Sequence, residues 1–64
     1  MWVEIKKTPN LMLAEMWKEY IEGEGIPARI IPESGLPIGQ EFAAYRVLVP
    51  QDKEGVIKEA MRKL

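Results

Sequence analysis

The sequence predicts an α+β fold with two helices on one face of a three-stranded sheet, and three observations carry that prediction. Residues 43–50, Ala-Ala-Tyr-Arg-Val-Leu-Val-Pro, form a β-branched and aromatic run without proline until Pro50, so every amide from Ala44 to Val49 can join a ladder on either side, as a central strand requires. Val3 and Ile5 alternate with Glu4 and Lys6, the period of a half-buried strand. Residues 11–22 and 56–64 repeat apolar side chains at spacings of three and four, the period of a helix with one face on a core.

Taken in order, the first strand covers residues 2–7 and ends at Thr8-Pro9-Asn10. Thr8 is the expected helix cap, with Pro9 at the first helical position, where its missing N–H is no loss. The helix runs over 9–22. Leu13, Ala14, Trp17, Tyr20 and Ile21 form its apolar stripe, Glu15, Lys18, Glu19 and Glu22 its solvated face, and Gly23 and Gly25 the exit turn. Pro27 and Pro32 bracket an extended run, 27–31, expected as an edge strand with Ala28 and Ile30 toward the helices and Arg29 and Ile31 away. Residues 32–42 are one long irregular loop, expected to be the most mobile part of the chain. Residues 43–50 follow as the central strand, with Tyr45, Val47 and Val49 on one face and Ala44, Arg46 and Leu48 on the other. The last helix covers 52–63, capped by Gln51 or Asp52, with Val56, Ile57, Ala60, Met61 and Leu64 inward and Glu54–Lys58 and Glu59–Lys63 as i,i+4 pairs.

The order strand, helix, strand, loop, strand, helix places the first two strands parallel, with the third inserted between them antiparallel. That is sheet order 1-3-2, a βαββα ferredoxin-like plait lacking its last strand, in one domain spanning residues 1–64.

A chain of 64 residues buries only about 60% of the surface its unfolded form exposes. With no Cys and no His, neither a disulfide nor a zinc site reinforces so small a core, which raises the expectation of a dimer. Nine Lys and Arg against ten Asp and Glu give a net charge of −1, so no global field draws the chain to nucleic acid or anionic lipid. No apolar run approaches the roughly 20 residues of a membrane span, and the N-terminus lacks the apolar core of a signal peptide, so a cytoplasmic setting is expected.

Thr8-Pro9-Asn10, Ala14-Glu15, Gly25-Ile26-Pro27-Ala28 and Val47-Leu48-Val49-Pro50 together resemble the prokaryotic signal-transducing protein family, over nearly the whole chain. This is a small bacterial domain of unknown function, grouped by fold with the nitrogen-regulatory PII proteins. The resemblance implies a ferredoxin-like, PII-like fold and a part in signal transduction; it carries no catalytic residue onto this sequence.

The residues themselves argue against catalysis. Ser34 and Thr8 are the only small hydroxyl side chains and no imidazole exists to activate either. Glu15 with Glu19 reads as solvated surface, and Glu22 with Glu24 lacks the pattern of a calcium loop. No metal and no cofactor is expected. Within the loop, Glu33, Ser34, Gly35, Leu36, Ile38 and Gly39 are the candidate effector contacts; the absence of any Lys or Arg over 32–42 speaks against a phosphate cradle. The face of the sheet away from the helices is expected to carry Trp2, Glu4, Lys6, Arg29, Ile31, Arg46 and Leu48, the candidate interaction surface.

The expected function is a non-enzymatic regulatory or adaptor module that binds a protein or small effector, with a homodimer joined through the first strand. The alternative is a single-stranded RNA-binding accessory domain, with Trp2 stacking on a base and the cations of the open face on phosphate. One aromatic ring and an interposed Glu4 make nucleic acid the weaker expectation.

Overall fold

The structure, a computed structural model, describes residues 1–33 and 43–64. The elements are β1 (Trp2–Thr8), α1 (Leu11–Gly23), β2 (Arg29–Pro32), β3 (Tyr45–Pro50), a 3-10 turn (Gln51–Lys53) and α2 (Glu54–Met61). β3 lies between β1 and β2 and runs antiparallel to both, giving the order β1-β3-β2. Tyr45, Val47 and Val49 share one cluster with Ala14 and Ile21 of α1 and Ile57 of α2, so both helices cover the same face. The fold is the α+β plait that the periodicities predict.

The core reaches both outer strands. Val3, Ile5 and Ile30 pack against it as half-buried neighbours, while Ile26 and Ala28 are buried members of it. Val49 opposes Val3 in β1 and Val47 opposes Ile30 in β2, so each of these two inward residues meets one apolar partner across the sheet.

The helix ends differ from expectation where caps compete. Helix α1 starts two residues later than predicted, because Asn10 and not Thr8 is the cap: its Oδ1 accepts from the Leu13 amide at 2.9 Å. Thr8 is buried and turns its hydroxyl to donate to the Asn10 carbonyl at 2.9 Å. At the other end, the Ile26 amide reaches the Ile21 carbonyl at 3.3 Å and the Gly25 amide reaches the Glu22 carbonyl at 2.9 Å. This is the paired closure that needs a left-handed residue, and Gly25 supplies it at φ +83°. Ile21 and Ile26, the two side chains such a closure brings together, are both buried.

The last helix departs further. Pro50 leads into the 3-10 turn, and neither Gln51 nor Asp52 caps α2, which has no side-chain cap bond. Glu54 pairs with Lys58 at 2.9 Å as expected, but Glu59 takes Arg62 at 3.0 Å rather than Lys63. Val56 and Leu64, expected inward, are 60% and 75% exposed. Ile57 is the fully buried anchor of α2, with Ala60 and Met61 beside it.

One irregularity in β1 changes which side chains point where. Glu4 opposes Leu48 and Lys6 opposes Val47, so Ile5 is an extra residue in β1 with no opposite in β3. Past this bulge the alternation is shifted by one: Lys6 faces the helices and Lys7, opposite Arg46, faces away. Sequence alternation alone puts Lys6 on the open face, and the bulge corrects it.

Val47 is fully buried at the centre of the sheet and the core. Val47→Asp places an uncompensated charge there, against a total stability of roughly 5–15 kcal/mol for ordinary domains. The variant is expected to show no cooperative thermal transition by far-UV circular dichroism; a melting curve like that of the parent would contradict the facing of β3.

Candidate interaction surfaces

The open face of the sheet is built on Leu48. Among the described residues no helix covers it, yet Leu48 is only 7% exposed, because its neighbours close over it. Glu4 and Arg29 stand on either side of it across the sheet. Arg29 then lays its guanidinium over the Trp2 ring, 4.4 Å from the centroid, so a residue of β2 and a residue of β1 meet above β3. Such a contact contributes about 0.5–1 kcal/mol where water has access.

The remaining charges on this face are matched. Arg46 donates from Nε to Glu4 Oε1 at 2.7 Å, with both side chains about one-third exposed. The pair is worth on the order of 0.2–1 kcal/mol at such exposure. Lys7 reaches Glu33 at 3.0 Å, tying β1 to the end of β2, and Glu33 also donates its amide to the Ala44 carbonyl at 3.0 Å. The Glu33 hydrogen bond and charge, with a smaller contribution from Glu4, raise the Lys7 pKa above the ordinary lysine value. Ile31 opposes Arg46 and completes the face.

Of the predicted surface, Trp2, Glu4, Arg29, Ile31, Arg46 and Leu48 are therefore brought together, and Lys6 is not. Lys6 instead sits over the Trp17 ring of α1 at 5.2 Å. The consequence for RNA binding is direct. The Trp2 ring is already stacked by Arg29, while Arg46 and Lys7 each have a carboxylate. Of the candidate loop residues, Glu33 is engaged as above; Ser34, Gly35, Leu36, Ile38 and Gly39 lie outside the described residues. Among the described residues no group of three or more acidic side chains is placed to hold a metal ion.

A second surface, absent from the sequence reading, lies on α1. Leu13, Met16, Trp17, Tyr20 and Leu64 line an open groove of about 310 Å³, walled almost wholly by apolar atoms. Leu13, expected in the core, is 37% exposed, and Met16 is 56% exposed. Trp17 and Tyr20 meet edge to face, 6.0 Å between centroids at 87°, forming a fixed aromatic wall. Next to them Met12 is 64% exposed. The signal was present in the sequence: at about 100° per residue the apolar arc of α1 extends through Leu13, Tyr20, Met16 and Met12, wider than contact with one sheet requires. Flexible, polarizable Met side chains beside rigid rings suit an apolar surface that adapts to what it binds.

No family model matches the chain, and neither a curated protein nor a solved structure does. The class of protein is therefore defined by the fold and these two surfaces: a small α+β plait with a closed polar sheet face and an open apolar helix face.

The cover over Leu48 predicts a coupled pair. Trp2→Ala is expected to cost about 1–2 kcal/mol and Arg29→Ala less, because the ring also shields Leu48. Chemical denaturation of both single variants and the double variant measures this; strictly additive costs would remove the contact as a source of stability.

Proposed function

We propose that this chain is a non-enzymatic regulatory or adaptor module that holds a protein partner in the apolar groove of α1. The observation that supports this reading is the groove itself: Met16 and its apolar neighbours lie exposed along one helix, continuous with the aromatic wall of Trp17 and Tyr20. An exposed contiguous apolar patch in a small domain is disfavoured unless something covers it. The signalling role and cytoplasmic setting expected from the sequence belong to the same proposal. Among the described residues, no helix is long and apolar enough to cross a membrane.

A homodimer through β1 is a second part of the proposal, in altered form. Among the described residues the sheet order leaves the outer edge of β1 without a strand neighbour, whereas β2 ends at Pro32, which has no amide to donate. The bulge at Ile5 interrupts that edge and places Glu4 and Lys6 on different faces, so a pairing of Glu4 with the partner's Lys6 does not form. The regular segment before the bulge, Trp2 to Glu4, is the part free to pair.

Met16→Asp is expected to abolish binding of the apolar dye anilinonaphthalene sulfonate while changing stability by less than about 0.5 kcal/mol, as for an exposed position. Undiminished dye fluorescence in that variant would sink the groove reading. For the dimer, sedimentation equilibrium from micromolar to millimolar protein should show a monomer–dimer equilibrium; a monomer throughout would remove that part of the proposal.

A further inference from the structure

The backbone phase of β1 fixes how two copies of the chain meet, given the reading that β1 is a dimer edge. In an antiparallel ladder, pairs that exchange both hydrogen bonds alternate with pairs whose amides and carbonyls turn away from each other. The Gln51 amide donates to the Met1 carbonyl at 2.7 Å, just outside the pair Trp2–Pro50, so that pair is of the second kind. Val3 therefore directs its amide and carbonyl to β3, while those of Trp2 and Glu4 point to the outer edge of the sheet. Among the described residues no backbone group pairs with them there. The bulge then breaks the step: the next outward residue is Lys7, opposite Arg46, three positions beyond Glu4 instead of two. A regular strand laid along this edge can follow Trp2 and Glu4 only. The edge of β2 offers less. There the Glu33 amide donates to the Ala44 carbonyl at 3.0 Å, which by the same phase turns Ile30 and Pro32 outward, and Pro32 has no amide.

A second copy of the chain has an edge of the same short length. We infer that two β1 strands pair antiparallel about a two-fold axis through Val3, giving one continuous sheet of order β2-β3-β1-β1-β3-β2. With Val3 opposite the partner's Val3, Trp2 lies opposite the partner's Glu4. The Trp2 amide then donates to the partner's Glu4 carbonyl, the Glu4 amide donates to the partner's Trp2 carbonyl, and the symmetry repeats both bonds. Every outward group of the regular segment is paired in this register. Centring on Trp2 instead leaves the Glu4 groups without a partner, and centring on Glu4 sets two carboxylates opposite each other, which is destabilising. The Val3 centre does neither. It places the half-buried Val3 side chains, which pack on the core side of the sheet, against each other across the seam. It also brings Met1, 90% exposed in the single chain, level with the partner's Ile5.

Amide hydrogen exchange of the unaltered protein, followed by NMR in dilute and in millimolar samples, reads the seam directly. In the concentrated sample the Trp2 and Glu4 amides should exchange about tenfold more slowly than in the dilute one, while Lys7 and Ile30 stay unchanged. The chain has no Cys, so Val3→Cys supplies a second reading. Facing Cα atoms in a pair of this kind are about 4.5 Å apart, within reach of a disulfide. Val3→Cys should therefore form a covalent dimer under mild oxidation, and Glu4→Cys should not. A dimer by sedimentation in which the slowing falls on Lys7, or in which Glu4→Cys cross-links, would overturn the Val3 centre and leave the β1 edge as the dimer contact. Slowing at Ile30 alone would move the seam to β2 and overturn both, as would a monomer at every concentration. Slow exchange of Trp2 and Glu4 already in the dilute monomer would show the edge covered within one chain, and would likewise overturn both.

Discussion

Everything in this molecule depends on the centre of β3 being covered on both of its faces, at Val47 toward the helices and at Leu48 away from them. In a three-stranded sheet only the middle strand has neighbours on each side, and here Tyr45, Val47 and Val49 are fully buried under the helices. On the opposite face of the same strand Leu48 is also buried, with no second layer of helices among the described residues. Side chains of the flanking strands reach across instead: Trp2 from β1 and Arg29 from β2 meet above it. The long apolar stem of an arginine and the face of an indole do here what a further helix does in a larger α/β protein.

The bulge at Ile5 is what makes this arrangement electrostatically consistent. Regular pairing would put Lys6 on the open face and Lys7 toward the helices. With one residue added, Lys7 meets Glu33 across the sheet and Lys6 meets the Trp17 ring. Each cation gains a partner suited to its surroundings, a carboxylate in water on one side and a π face beside the core on the other. A bulge on an edge strand also adds local twist and interrupts the ladder, so the same residue that sorts the charges limits how far a second sheet can extend from β1.

The two faces of the fold consequently differ in what they offer. The open sheet face has its ring stacked and its charges matched, which leaves few unsatisfied groups to recruit a ligand. Helix α1 is the reverse: its inner side anchors the core through Ala14 and Ile21, while Leu13, Met16 and Tyr20 carry the apolar surface outward. Rigid rings packed edge to face beside flexible thioethers give a surface with a fixed wall and an adaptable floor. Binding to an apolar partner surface is the proposal that this groove supports.

The element order, the central position of β3 and the inward faces of β2 and β3 were legible in the sequence because each is a local periodicity. Alternation of two in Tyr45-Arg46-Val47-Leu48-Val49 and spacing of three and four in α1 leave one consistent way to bury the apolar side. Gly25 was legible as a turn residue for the same local reason, a backbone conformation that needs no Cβ. What the tertiary structure alone decided is where neighbouring segments compete. Thr8 and Asn10 both suit a cap, and burial of Thr8 beside Tyr45 gave the cap to Asn10. The phase of β1 depended on its register against β3, which no alternation within β1 encodes once a residue is inserted. Leu13 and Leu64 read as core until the sheet proved too narrow to cover that side of α1, leaving them as the lining of a groove. Periodicity assigns an apolar side chain to a face; only the extent of the opposing surface determines whether that face is covered.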